Sequence, residues 1–221
     1  MLADRVLFLD GEALVIDKPA GLPVDPPRHG GISLENHLDS LTFGFRRWPM
    51  AVHRLDQDTS GCLLLSRNPK AHARFQQAFE ANRVEKRYLA VLEGVPDGAE
   101  GLIDLPLAKV STREAGWRMT GDAKGKSART AWRLLREQDG RALVEFRPAT
   151  GRTHQIRVHA LEGLGVPVVG DPVYGRADGR ADRAGMLLHA AELIVPRDGK
   201  AAIEAIAPIP ERFAAAGFGH E

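Results

Sequence analysis

A chain of 221 residues, 43% apolar and 27% charged, with a formal net charge of +1, has the make-up of a soluble globular protein built as one large domain or two small ones. The near-neutral balance excludes a global field that would announce a nucleic-acid partner, so any such case has to rest on local clusters of charge. The single cysteine, Cys62, excludes an internal disulfide, no apolar run is long enough to span a bilayer, and Met1-Leu2-Ala3-Asp4-Arg5 does not open a secretory signal; a cytoplasmic location is expected.

Residues 6–9 and 13–16 are apolar runs around Asp10-Gly11-Glu12, and Asp-Gly between such runs predicts a β-hairpin. Residues 19–31, rich in Pro and Gly, read as an irregular loop, and Ser33 can cap a short helix carrying Leu34, His37, Leu38 and Leu41. Cys62-Leu63-Leu64-Leu65 has the pattern of a strand buried on both faces. Ser66 or Asn68 can cap the helix that follows, with Pro69 in its first turn and Ala71, Phe75, Ala78 and Phe79 as its apolar stripe, ending near Asn82. Residues 84–93 then alternate as a strand, with Lys86, Tyr88 and Ala90 on one face and Arg87, Leu89 and Val91 on the other.

After a turn-rich break at 95–101, residues 105–136 carry Lys109, Arg113, Arg118, Lys124, Lys126, Arg129, Arg133 and Arg136 against Glu114 and Asp122, with Trp117 and Trp132 interleaved. This is the local basic surface that the net charge conceals, and its binding to phosphate would be salt-sensitive. Trp117 is placed either to stack on a base or to pack on its own sheet. Residues 143–146 read as a strand, 154–164 as a short helix stopped by Gly165, and 166–169, 186–195 and 201–207 as further strands. Residues 176–185 form a Gly- and charge-rich loop, and 210–216 a closing helix. Strands broken by a few short helices predict an α+β protein with a largely antiparallel sheet.

Two segments concentrate charge beside apolar runs: His53-Arg54-Leu55-Asp56-Gln57-Asp58-Thr59-Ser60-Gly61 and Gly151-Arg152-Thr153-His154-Gln155-Ile156-Arg157-Val158-His159. Together they resemble the RluA-type branch of the pseudouridine synthases. Asp17-Lys18-Pro19-Ala20-Gly21 is similar to that family's KPxG loop, Lys86-Arg87-Tyr88-Leu89-Ala90 to its K-x-Y-x-A segment, Gly170-Asp171-Pro172-Val173-Tyr174-Gly175 to its GDPxYG turn and Leu188-His189-Ala190 to its LHA strand. The blocks follow the family's order and run from near residue 5 to near residue 213. The resemblance implies a bent mixed sheet in two halves with an active-site cleft across it, in one catalytic domain over 1–221. It implies no S4-type RNA-binding module, so that the catalytic domain itself binds RNA. It also implies an enzyme that breaks the glycosidic bond of a uridine in RNA, turns the uracil and rejoins it through carbon 5, with no cofactor and no metal.

On that resemblance Asp56 is the nucleophile; it can attack the sugar carbon, attack the uracil ring or assist an elimination, and the residues leave these routes open. Arg157 is expected to pair with Asp56 and hold it ionised. Tyr88 is expected to stack on the base and move a proton, although a phenol with a pKa of about 10 is a poor base at neutral pH without help from a nearby charge. Arg54 is the candidate for filling the gap left by an extruded uridine. His53, a loop support, and Arg152 join Lys109, Arg113, Lys124, Lys126 and Arg129 as the RNA-contacting set, and Thr59, Ser60 and Gly61 shape the turn that aims Asp56. The implied partner is large-subunit rRNA, tRNA or both, the protein being a monomer away from membranes.

Other motifs fail on spacing. Gly125-Lys126-Ser127 lacks the upstream glycine of a P-loop, since Gly121 stands three residues before it rather than four. His154 and His159 are five apart, not the four that set two imidazoles on one helical face for zinc. Reading Asp56 and Asp58 as a glycosidase pair leaves Arg157 and the basic segment without a role.

Overall fold

After a short 3-10 turn at Leu2–Arg5, the strands β1 (Val6–Leu9) and β2 (Ala13–Lys18) pair as the expected antiparallel hairpin. Asp10 sets its turn by accepting the N–H groups of Glu12 and Ala13, both at 2.8 Å, which is the local backbone bonding that makes Asp a turn former. The computed structural model describes residues 1–112, 116–175 and 185–220, so Arg113 and residues 176–184 of the charged loop lie outside the described residues. Where Ser33 was expected to cap a helix, there are two single 3-10 turns, Leu34–His37 and Asp39–Leu41. Leu34 and Leu41 are their buried apolar positions, too few to sustain a helical stripe.

A two-residue strand β3 (Met50–Ala51) precedes β4 (Ser60–Ser66), in which every residue is buried, as an apolar run covered on both faces requires. The helix α1 (Pro69–Glu80) starts where Asn68, not Ser66, caps it: the Asn68 side chain accepts the Ala71 N–H at 2.9 Å. Ala71, Phe75 and Ala78 are its buried stripe, and Asn82 ends it in the left-handed region at φ 52°. The strand β5 (Glu85–Leu92) follows, half-buried at Lys86, Arg87 and Tyr88 and fully buried from Leu89 onward.

The break at 95–101 gives way to β6 (Glu100–Asp104), then to β7 (Leu107–Thr112), β8 (Gly116–Gly121), β9 (Arg129–Gln138) and β10 (Arg141–Pro148). Asp139 at φ 52° and Gly140 at φ 71° make the tight β9–β10 turn, a conformation that Asp-Gly adopts readily. The helix expected over 154–164 is one α-helical turn, α2 (Gln155–Val158), running into a wider π-helical turn over His159–Gly163. The strand expected at 166–169 reduces to a single bridge between Val168 and Leu92, because the Val166 N–H turns back to the Ala160 carbonyl (3.0 Å) and Pro167 has no N–H to give. The strands β11 (Leu188–Val195) and β12 (Ile203–Ile206) and the helix α3 (Glu211–Ala215) complete the described chain.

The chain divides into two units, Met1–Lys86 with His189–Pro208 and Arg87–Leu188 with Ile209–Glu221. In the first, the strand order is β1-β2-β4-β11-β12, with β3 on β4, and the β4–β11 pair alone among these is parallel. Its core gathers Ala13 and Val15 of β2, Cys62 and Leu64 of β4, Phe75 of α1, and Leu193 and Ile203 from the last two strands. In the second, β5-β10-β9-β6 is wholly antiparallel, and β7–β8 is a separate two-stranded ribbon. Its core sets Ala90, Leu92, Val144 and Phe146 of the sheet against Ile156 and Ala160. The α+β class with a mixed, largely antiparallel sheet is therefore the one observed. Among the described residues no helix is long and apolar enough to cross a membrane.

The parallel pair β4–β11 registers Ser60 with His189 and Gly61 with Ala190. Gly61 stands at φ +107°, and a Cβ there would run into the Ala190 backbone carbonyl, so only glycine permits the approach. Gly61→Ala is expected to lower stability by at least about 3 kcal/mol in urea unfolding. A wild-type midpoint would show that the two strands separate at little cost.

Candidate active site

The turn that carries Asp56 is held from below and from the side. Leu55 is buried, Thr59, Ser60 and Gly61 are buried, and Asp56 between them is half-buried. The Thr59 N–H donates to the Asp56 carbonyl at 3.1 Å, closing the turn, and the Gly21 N–H donates to the Gln57 carbonyl at 2.9 Å. The fully buried Lys18 completes the frame: its ammonium donates to the carbonyls of Pro19 (2.9 Å), Leu22 (2.8 Å) and Gln57 (2.9 Å). Three donors thus meet three acceptors, which is what allows a charge to sit inside the unit. Behind the turn, the Ser60 hydroxyl bonds the buried His189 Nδ1 at 2.8 Å.

His53 faces inward. Its Nε2 accepts the Leu64 N–H at 3.0 Å, and its ring stacks on Phe79 with centroids 4.6 Å apart. Burial, and then the repulsion of Lys86, bring its pKa down to about 4, so the ring is neutral as that hydrogen bond requires. Burial also brings the Lys86 ammonium down to about 8. Arg54 is exposed and forms a 3.0 Å ion pair with the exposed Asp25 of the 19–31 loop. Such a pair is weak and can be exchanged for a phosphate.

In the second unit, Arg157 is buried in α2 and grips Asp171 of the Gly-Asp-Pro turn with two bonds, Nε to Oδ2 at 2.6 Å and Nη2 to Oδ1 at 2.7 Å. Burial pushes the Asp171 carboxyl up, but the Arg157 guanidinium and the N–H groups of Tyr174 and Val173 outweigh it, and the net shift is downward. A guanidinium has five N–H donors, so this bridge is compatible with a second carboxylate on the same arginine. Tyr174 lies under Arg157, with the guanidinium carbon 5.0 Å from its ring centre. The α2 segment is itself pinned by a buried polar chain: Gln155 donates to the Thr130 hydroxyl (2.9 Å), which meets His159 Nδ1 (2.8 Å), while His159 Nε2 meets the Leu105 carbonyl (3.0 Å). Tyr88 is half-buried on β5 opposite Phe146, packed against the core on the same side as Leu92, as the alternation requires.

The basic segment splits in two. On β9, Arg129 pairs with Asp104 (2.8 Å), Arg133 reaches the buried Glu145 (3.5 Å), and Arg136 turns to the Gly217 carbonyl. Burial raises the Glu145 pKa, but Arg147, Arg133 and Arg87 together hold it below its ordinary value. Lys109, Arg118, Lys124 and Lys126 stay exposed on the β7–β8 ribbon and the loop after it. Arg152, also exposed, donates Nε to the Ser127 carbonyl at 3.0 Å and so lies beside that loop. Lys18, Asp171, Tyr174 and His189 were legible only as members of motifs, because spacing does not reveal which backbone or side chain a residue will meet. Among the described residues no group of three His, Cys, Asp or Glu could hold a metal ion.

The sequence profile described as RNA pseudouridylate synthase matches residues 12–162. The chain therefore belongs to the RNA pseudouridylate synthase family, isomerases that act on RNA, and the resemblance to the RluA-type branch holds. It is 58% identical over 219 residues to an uncharacterised RNA pseudouridine synthase of Zymomonas mobilis, covering 99% of each chain. It is 37% identical over 194 residues to the dual-specificity RNA pseudouridine synthase RluA of Escherichia coli, covering 86% of this chain and 85% of that one. Among solved structures, human RNA pseudouridylate synthase domain containing 4 superposes with a TM-score of 0.80 at 26% identity, over 96% of this chain and 91% of that one.

Removing one side of a buried ion pair strands the other charge, so Asp171→Ala is expected to cost about 3–5 kcal/mol in urea unfolding. A loss under about 1 kcal/mol would show that Arg157 finds water instead. The depressed His53 pKa has a definite pH signature. Unfolded chain binds a proton there near pH 6.5 and folded chain only near pH 4, so stability is full above about 6.5 and falls as pH drops towards 4, by on the order of 3 kcal/mol. His53→Gln should flatten that part of the stability profile, and an unchanged slope would place the acid sensitivity elsewhere.

Proposed function

We propose that the protein converts specific uridines of large-subunit rRNA, tRNA or both to pseudouridine, with Asp56 as the nucleophile and the target base flipped out of its stack. The observation that carries this reading is the preorganised turn. Asp56 stands at a bend whose backbone is tied by Lys18, Gly21 and Thr59, which is how a reacting carboxylate is kept in one geometry. The C1′–N1 bond breaks, the uracil turns, and a C1′–C5 bond forms. The proton on C5 leaves and one is gained at N1, so substrate and product are isomers and no co-reactant is consumed. Asp56 answers the electron deficiency that arises at the sugar while the base is detached.

Tyr88 stacks on the detached base and moves a proton, and Arg157 is the cation that keeps the reacting carboxylate ionised. Arg54, released from its exposed pair with Asp25, fills the place the uridine leaves. Exposed Lys109, Lys124, Lys126 and Arg152 meet phosphates. The dual specificity in the name of the Escherichia coli relative supports more than one RNA target.

Asp56→Asn is expected to abolish pseudouridine formation on RNA from cells lacking the protein, while RNA affinity stays within about threefold, since one uncharged replacement leaves the phosphate contacts in place. Mass-labelled RNA that still yields pseudouridine with this variant would remove Asp56 from its role. A pseudouridine map of cellular RNA with and without the protein names the site.

A further inference from the structure

The β7–β8 ribbon carries an aromatic side chain that the core does not claim. Trp117 is 49% exposed, where a tryptophan with a purely structural role would be largely buried. It stacks not on its own ribbon but on His154, with ring centroids 5.2 Å apart and planes 27° apart. The His154 ring is in turn fixed in place. Its Nδ1 meets the Tyr174 hydroxyl at 2.9 Å, the two rings stand edge to face at 5.5 Å, and the same hydroxyl accepts the Met119 N–H of β8 at 2.9 Å. His154 holds a left-handed backbone, φ 54° and ψ 20°, which a side-chain-bearing residue keeps only when its surroundings enforce it, most often at functional sites. The Lys109 ammonium sits 5.1 Å from the centre of the Trp117 ring. Tyr174 also underlies Arg157, so the exposed indole is joined to that cation through two rings.

We propose that Trp117, backed by His154, is a stacking platform for one unpaired nucleobase of the substrate RNA beside the target uridine, with Lys109 meeting the adjoining phosphate. The proposal rests on the pseudouridine synthase reading and adds to it where a neighbouring nucleotide binds. An indole accepts any base on its π-face, and a cation beside it suits the phosphate that comes with the base. A paired base presents no free face, so the platform selects a loop over a continuous duplex.

The test uses a uridine-containing RNA stem–loop and the same stem–loop with abasic nucleotides placed at each loop position in turn. Trp117→Ala is expected to raise the dissociation constant about tenfold, the loss falling in KM rather than in kcat, with Trp117→Phe in between. One abasic position should weaken wild type by a similar factor and have no further effect on Trp117→Ala. RNA should quench tryptophan emission of the wild type, and that quench should shrink in Trp117→Phe, which retains Trp48 and Trp132. Wild-type affinity and KM in both variants, with an unchanged quench in Trp117→Phe, would overturn the platform. A wild-type protein that forms no pseudouridine would sink the functional reading alone, and the quench and the abasic series would then decide the platform by themselves.

Discussion

A lysine ammonium buried inside the first unit is the constraint on which the rest depends. Left without partners, such a charge would cost several kcal/mol. Lys18 avoids that cost because its three hydrogens find the carbonyls of Pro19, Leu22 and Gln57. The Gln57 carbonyl also takes the Gly21 N–H, so the loop after β2 and the turn bearing Asp56 share an acceptor and move as one body. The close approach of β4 to β11 at Gly61 fixes the other side of the same turn. A carboxylate in that position has little freedom left to lose when a substrate arrives, and this is where preorganisation gains its rate.

The second unit solves the same problem with the opposite sign. Arg157 is buried, and Asp171 together with the N–H groups behind it makes that burial tolerable. The pair also orders its surroundings. Asp171 holds the turn that presents Tyr174, and Tyr174 touches Arg157 on one side and His154 on the other. An exposed tryptophan, a strained histidine and a buried arginine thereby become a single rigid series, and a contact made at the surface is made against a fixed partner.

The motifs were legible because they combine residue types that a core does not otherwise want: charges beside all-apolar strands, and glycines where no side chain fits. That was enough to place Asp56, Tyr88 and Arg157 on their elements, to find the Asp10 turn and the α1 stripe, and to assign an α+β class. It was not enough to say what each charged group would meet. Arg157 was expected to pair with Asp56, yet Asp171, fourteen residues downstream, takes two of its donors. Arg129, Arg133 and Arg136 read as one basic surface with Lys124 and Lys126, but the alternation of β9 and its neighbours turned them to Asp104, Glu145 and Gly217.

Local chemistry was decided within the sequence itself: the two-residue period of the strands, the cap at Asn68, the left-handed Asp139-Gly140 turn and the family motifs depend only on neighbours along the chain. Partners were decided by the tertiary structure. Lys18 with Gln57, Ser60 with His189, Arg157 with Asp171 and Trp117 with His154 are joined across 14 to 129 positions by packing. Hydrogen bonds and ring contacts act over a few ångströms, and only a folded backbone brings such distant residues within that range.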